Sequence, residues 1–192
     1  SLVIGPGIGR TIEAAQVLEH LLSAIRPPAV LDADALWCLK RHPKLLDLLS
    51  PSDILTPHPG ECRFLLETLK LEDRFPDIQA DRLGVMEALS NRLACVLVLK
   101  GAGTLVAQGA GRFLSPFSSP NLAVAGSGDV LAGAMAGLGK RVPHSLDRAA
   151  LAVYIHGLAG MLLMEEHPER GNLAGDIIDL IPIAMEELLH AD

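Results

Sequence analysis

The chain has 192 residues, 49% of them hydrophobic, and a mean hydropathy of +0.34, which is enough apolar material for one domain and too much for a disordered chain. A net charge of −7, no lysine or arginine cluster and only 3% aromatic residues argue against nucleic acid as the main partner. Cys38, Cys62 and Cys95 are odd in number and far apart, which fits reduced thiols of a cytoplasmic protein better than a disulfide framework or a zinc site.

In chain order, Leu2-Val3-Ile4 reads as a buried strand ending in the turn Gly5-Pro6-Gly7-Ile8-Gly9. Ser1 enters that strand midway and without an initiator methionine, so the expected unit is a single domain over 1–192 that lacks its N-terminal segment. Ile12, Ala15, Leu18, Leu21 and Leu22 predict a helix over 11–23, stopped by Pro27 and Pro28. Strands follow at 29–32 and 54–56, separated by a helical stretch after Asp34 and a short helix over 43–49. Helices are predicted over 61–69 and 78–91, with the polar stretch 72–81 between them as a surface loop. Residues 95–99 form a buried strand, and 104–107 with 111–114 a hairpin; the last third is helical over 130–139, 145–166 and 176–189, with Pro182 offsetting the last helix. No apolar run is expected to reach membrane-spanning length, and no signal peptide is visible.

Strands alternating with helices predict an α/β three-layer sandwich, a mostly parallel central sheet with helices on both faces. Ligands of such sheets bind beyond the C-terminal ends of the strands. Gly5 to Gly9, Asp32 to Asp34, Thr56 to Glu61 and Lys100 to Thr104 all fall there.

Ala125-Gly126-Ser127-Gly128-Asp129 opens a run of small residues with helical character. Free N–H groups and the positive dipole end at a helix start favour an anion. Asp129 beside that anion would repel it unless the carboxylate has a task of its own, such as taking a proton from an attacking hydroxyl. An aspartate at a glycine-rich helix start is equally what capping alone produces. No Gly-Lys-Ser/Thr follows, so this is not a Walker A loop.

Five segments together are more specific: GPGIGR (5–10), LDADAL (31–36), LTPHPGE (55–61), LKGAGT (99–104) and AGSGDVLAG (125–133). In this order they resemble the ADP- or ATP-dependent NAD(P)H-hydrate dehydratases, repair enzymes of ribokinase-like fold. The resemblance covers essentially the whole chain. It implies that a nucleotide's terminal phosphate goes to the hydroxyl of hydrated NADH or NADPH, and that phosphate is then eliminated to restore the nicotinamide ring. It makes Asp129 the base, also in contact with substrate, and the N–H groups of Gly126, Ser127 and Gly128 the anion hole. Lys100, Gly101, Ala102, Gly103, Thr104 and Gly128 would hold the nucleotide, and Gly7, Gly9, His58 and Glu61 the substrate. ADP or ATP and Mg2+ are the implied cofactors; no all-protein metal cage is expected.

Each of these residues also has a plainer role open to it: Lys100 a solvated strand-end charge, Glu61 a helix cap, Gly7 and Gly9 a tight turn. Asp32 and Asp34 stay outside the expected site, although Asp34 suits substrate, magnesium-bound water or the cap of the following helix. Two positions depart from the family pattern: Val124 stands for a threonine and Ala125 for a glycine, removing one hydroxyl and one flexible position near the phosphate. HPGE at 58–61 is similar to bacterial members, which favours ADP, a homo-oligomer such as a tetramer, and fusion to or work beside an NAD(P)H-hydrate epimerase. Leu151, Ile155, Leu158, Leu162 and Leu163 serve either core or interface. Rival readings are a small-molecule kinase of the same fold and a non-catalytic nucleotide-binding module.

Overall fold

Six short strands pair in sequence order in one sheet: β1 (Leu2–Ile4), β2 (Ala29–Leu31), β3 (Ile54–Leu55), β4 (Val96–Leu99), β5 (Leu105–Gln108) and β6 (Gly111–Leu114). The computed structural model describes residues 1–166 and 171–190. β1 to β4 are parallel and β4, β5 and β6 antiparallel. Their register separates two side-chain rows. Val3, Val30, Ile54 and Val96 lie side by side, and so do Ile4, Leu31, Leu55 and Leu97. Because strand side chains alternate in direction, the two rows face opposite layers.

The leucine row packs beneath α1 (Ile12–Ser23), α2 (Asp34–Arg41), α3 (Pro59–Thr68) and α4 (Arg82–Ser90), with Leu18, Leu36, Leu65 and Leu89 buried in that core. Val30, Ile54, Val96 and Val98 face α5 (Ser127–Gly137), α6 (Ser145–Glu166) and α7 (Ala174–Leu189), where Leu131, Met135, Ala152, Ile155 and Ile177 complete a second core. Burying each such Leu, Val or Ile contributes roughly 2 kcal/mol, which is why short strands covered on both faces read as unbroken apolar runs. The three-layer α/β sandwich is thus present.

Some boundaries move for local reasons. α4 begins at Arg82 rather than at residue 78, because the Asp81 carboxylate caps it by accepting from the Gly84 N–H at 2.8 Å. The stretch 72–81 is irregular, but Phe75 and Ile78 are buried, so it is pinned to the first core rather than a loose surface loop. Contrary to expectation, α6 over Ser145–Glu165 is long and apolar enough to cross a membrane by length and composition. Its Ala149, Ala152, Val153, Ile155, Ala159 and Leu163 are buried against the sheet and its neighbours, and Leu151, Leu158 and Leu162 pack onto the same core. The core alternative therefore holds for those leucines.

At the N-terminal end of the strands, Arg26 grips buried Asp53 through two 2.7 Å contacts, and Asp53 also accepts the N–H groups of Ala29 and Ser50 at 2.8 Å. All four contacts fasten strand entrances. The opposite end carries the glycine-rich turns.

Candidate active site

The turn after β1 is shaped by glycine. Gly5 has φ +134°, and a Cβ there would lie 1.7 Å from the Asp32 carbonyl oxygen, so the first turn closes directly on the end of β2. Gly7 and Gly9 take φ +71° and +86° with open space beside them. Asp34 accepts the Gly9 N–H at 3.1 Å and the Arg10 Nε at 2.7 Å. It braces this turn and does not cap α2, which has no side-chain cap.

After β3, His58 is the N-cap of α3. Its Nδ1 accepts the N–H groups of Gly60 at 2.9 Å and Glu61 at 3.3 Å, while Glu61 Oε2 accepts the His58 N–H at 2.9 Å. This reciprocal capping box realises the helix-cap alternative for Glu61. It also leaves the exposed face of His58 turned to solvent, its side chain 56% exposed, with Glu61 nearly buried beneath it.

Lys100, after β4, is no solvated charge. Its Nζ lies 2.6 Å from Asp32 Oδ1 and 3.7 Å from Glu61 Oε2, and Asp32 is buried. A Cβ on Gly128 would sit 3.4 Å from that Nζ and 3.5 Å from Asp32 Oδ2. The ends of β2, β3 and β4 therefore meet the start of α5 in one polar cluster. Asp32, expected at the strand ends but left outside the expected site, belongs to it. The loop that follows is fixed from behind: Arg82 donates to the Leu99 carbonyl at 3.1 Å and to the Ala102 carbonyl, bridging both ends of the turn. Thr104 Oγ1 donates to the Gly101 carbonyl at 3.0 Å, so that hydroxyl shapes the turn.

α5 starts at Ser127 behind Gly126, which holds φ +86°, and no side chain caps it. The left-handed conformation falls on Gly126 and not on Ala125, which is absent from the positive-φ residues. The alanine at 125 thus costs the turn no flexibility it uses, correcting that part of the expectation. Asp129 lies in the first turn with its side chain exposed, and makes no side-chain hydrogen bond or ion pair among the described residues. Ser127 is buried, and His156 of α6 approaches it through Nε2 at 3.2 Å from Oγ and 3.1 Å from the carbonyl oxygen. Burial pulls the His156 pKa down to about 4, so the ring is neutral at physiological pH.

Beside the polar cluster opens a cavity of about 560 Å³. Lys100, Gly101, Ala102, Thr104, Ser127, Gly128 and His58 line it, with Phe117, Leu122, Val124, Val153, His156 and Gly157 forming the apolar side. Phe117 packs edge-on against Tyr154 at 4.9 Å and occupies the space a side chain at 157 would need. Gly103, Gly126, Glu61, Asp129, Gly7 and Gly9 are not among its walls. One end suits an aromatic or aliphatic group, the other an anion. Among the described residues no group of three or more His, Cys, Asp or Glu side chains is placed to hold a metal. Asp32 and Glu61 both face the Lys100 ammonium, at 2.6 and 3.7 Å, and neither lines the cavity, so a Mg2+ here would be held chiefly by the phosphates on which it arrives.

Residues 1–183 match the family described as Carb_kinase, NAD(P)H-hydrate dehydratase. The bifunctional NAD(P)H-hydrate repair enzyme Nnr of Moorella thermoacetica is 38% identical over 188 residues, 97% of this chain and 34% of that protein. The chain thus spans about a third of the length of the curated relatives it matches. An ADP/ATP-dependent NAD(P)H-hydrate dehydratase from Bacillus subtilis, co-crystallised with ATP/Mg2+, superposes with a TM-score of 0.75 at 33% identity, over 96% of this chain and 65% of that one. Hydroxyethylthiazole kinase from Pyrococcus horikoshii, at 20% identity and a TM-score of 0.74 over 93% of this chain and 69% of that one, shares the fold. With its ribokinase-like architecture and a match across nearly its whole length, the chain belongs to the NAD(P)H-hydrate dehydratase family.

Proposed function

We propose that this chain catalyses the ADP- or ATP-dependent dehydration of hydrated NADH and NADPH in the cytoplasm, as a metabolite-repair lyase. The observation that carries the reading is the convergence of Lys100, its partner Asp32 and the uncapped start of α5 at one end of a cavity that Phe117, Leu122, Val124 and Val153 also line. That arrangement supports a nucleotide whose base lies against Phe117, Leu122 and Val153 and whose phosphates reach Lys100 and Gly128. The N–H groups of Gly126 and Gly128 receive the transferring phosphoryl group, where donors set in advance need no reorganisation during the reaction, while the Ser127 N–H expected beside them is donated to the Val124 carbonyl at 3.2 Å.

Asp129 takes the proton of the substrate hydroxyl as its oxygen bonds to the terminal phosphorus and the nucleotide leaves one phosphate shorter. The carbon–oxygen bond then breaks, phosphate departs with the electron pair, and a ring proton is lost as the nicotinamide double bond returns. Mg2+ held by the phosphates would neutralise part of their charge, with the Asp32 and Glu61 carboxylates in the strand-end cluster behind Lys100. His58, Glu61, Gly7 and Gly9 lie around the same strand ends and bound the substrate side. A fixed lysine and a helix start would serve a kinase equally well, so the product decides the assignment. Purified protein mixed with hydrated NADPH, magnesium and ADP or ATP is expected to regenerate NADPH. A stable phosphorylated alcohol without NADPH would mark a kinase instead. As partners we propose a second copy of the chain and an NAD(P)H-hydrate epimerase that feeds it the correct epimer, the latter supported by the bifunctional character of the relatives.

A further inference from the structure

His156 sits on α6, 29 positions from the turn it touches, and is 7% exposed in the wall of the cavity. A single ring nitrogen, Nε2, meets two oxygens of one residue: the Ser127 carbonyl at 3.1 Å and the Ser127 hydroxyl at 3.2 Å. The carbonyl can only accept. A bare Nε2 lone pair 3.1 Å from it would be repulsive, so the proton resides on Nε2 and is donated to that carbonyl. An Nε2 that carries its proton cannot accept one from the Ser127 hydroxyl. The hydroxyl proton is then left to turn towards the anionic end of the cavity, which Ser127 lines.

We propose that His156 is the positioning residue of the anion hole: as the Nε2–H tautomer it fastens the first turn of α5 through the Ser127 carbonyl and frees the Ser127 hydroxyl to donate to the transferring phosphoryl group. This rests on the phosphoryl-transfer reading above. A neutral ring carries one N–H only, and burial keeps His156 neutral, so the proton placed on Nε2 leaves Nδ1 bare. The residue touches no reacting atom; it acts through Ser127.

Two measurements test it. Ring-nitrogen NMR of isotopically labelled protein, with the His156 signals identified by their loss in His156→Gln, is expected to show the Nε2–H tautomer; Nδ1–H would overturn the proposal. In a double-mutant cycle on turnover of hydrated NADPH, Ser127→Ala is expected to lower kcat by about 100-fold, the scale of a lost oxyanion donor. His156→Leu is expected to lower kcat by about 10-fold alone but less than about 2-fold in the Ser127→Ala background, since the two act as a unit. His156→Gln, whose amide nitrogen can replace the Nε2 donor, is expected to stay within about 3-fold of the parent. Effects that multiply fully, or a folded Gln variant as impaired as the Leu variant, would overturn it. Should His156→Leu fail to fold, the Gln variant and the tautomer decide. Parent protein without turnover has the cycle read on its affinity for ADP and ATP with magnesium. If it binds neither nucleotide, the proposed function falls while the tautomer still decides the His156 contact.

Discussion

Gly5, Gly101 and Gly126, with φ of +134°, +139° and +86°, are among the positions at which the backbone of the site itself demands glycine. A side chain at Gly5 meets the Asp32 carbonyl in a conformation, φ +134°, that L-residues rarely adopt. Gly5→Ala is expected to lower stability by more than about 3 kcal/mol in chemical denaturation, because the turn has no room to yield; an unchanged midpoint would show that β1 and β2 do not meet as described. The glycine-rich segments were legible because such demands leave a trace at the position itself. Arg82 and His156 left none, and Asp32 showed only its place at a strand end: their partners Leu99, Ser127 and Lys100 lie 17, 29 and 68 positions away, and only folding brings them together.

At the scale of elements, the apolar pattern located the strands and α-helices among the described residues, since each of the two cores requires its own apolar row, but not the short 3-10 turns Glu72–Arg74 and Pro120–Leu122. Boundaries were less legible where a cap rather than a hydrophobic residue sets them, as at Asp81 and His58. The start of α4 matters to the site because its first residue, Arg82, spans the nucleotide turn by donating to the carbonyls of Leu99 and Ala102. A lysine lacks the planar fork needed to reach both. Arg82→Lys is therefore expected to raise the nucleotide KM by about 10-fold, with a loss of about 1 kcal/mol in stability from one missing hydrogen bond. Steady-state kinetics against nucleotide concentration checks this. An unchanged KM would mean that the turn between 100 and 104 holds its shape without Arg82.

Across the whole molecule, the second core and the site are joined at His156, a buried histidine whose ionisation the fold opposes. Its pKa is ordinarily 6.5 and is lowered to about 4 here, so between those values the unfolded chain binds the proton that the folded chain excludes. The resulting stabilisation is present above pH 6.5 and is lost as pH falls towards 4, amounting to about 3 kcal/mol when complete. Denaturation profiles of the parent and of His156→Gln are expected to differ in slope across that window, the parent losing more stability on acidification; parallel profiles would contradict the burial of a neutral ring. The fold class was legible as a whole because alternating strands and helices admit few arrangements, and the gathering of the glycine turns because a parallel sheet sends them to one end. The cavity's apolar side was not, since Phe117, Leu122, Val153 and Gly157 come from segments with no shared pattern. The central claim, that the start of α5 transfers a phosphoryl group to a hydrated nicotinamide, is tested most directly by NADPH absorbance. Hydrated NADPH and magnesium are supplied with ADP or ATP, for the parent chain and for Asp129→Asn. Recovery of NADPH by the parent, reduced at least about 100-fold in the variant while nucleotide still binds, is the predicted result. Equal recovery by both proteins, or none by a folded parent that binds nucleotide, would contradict it.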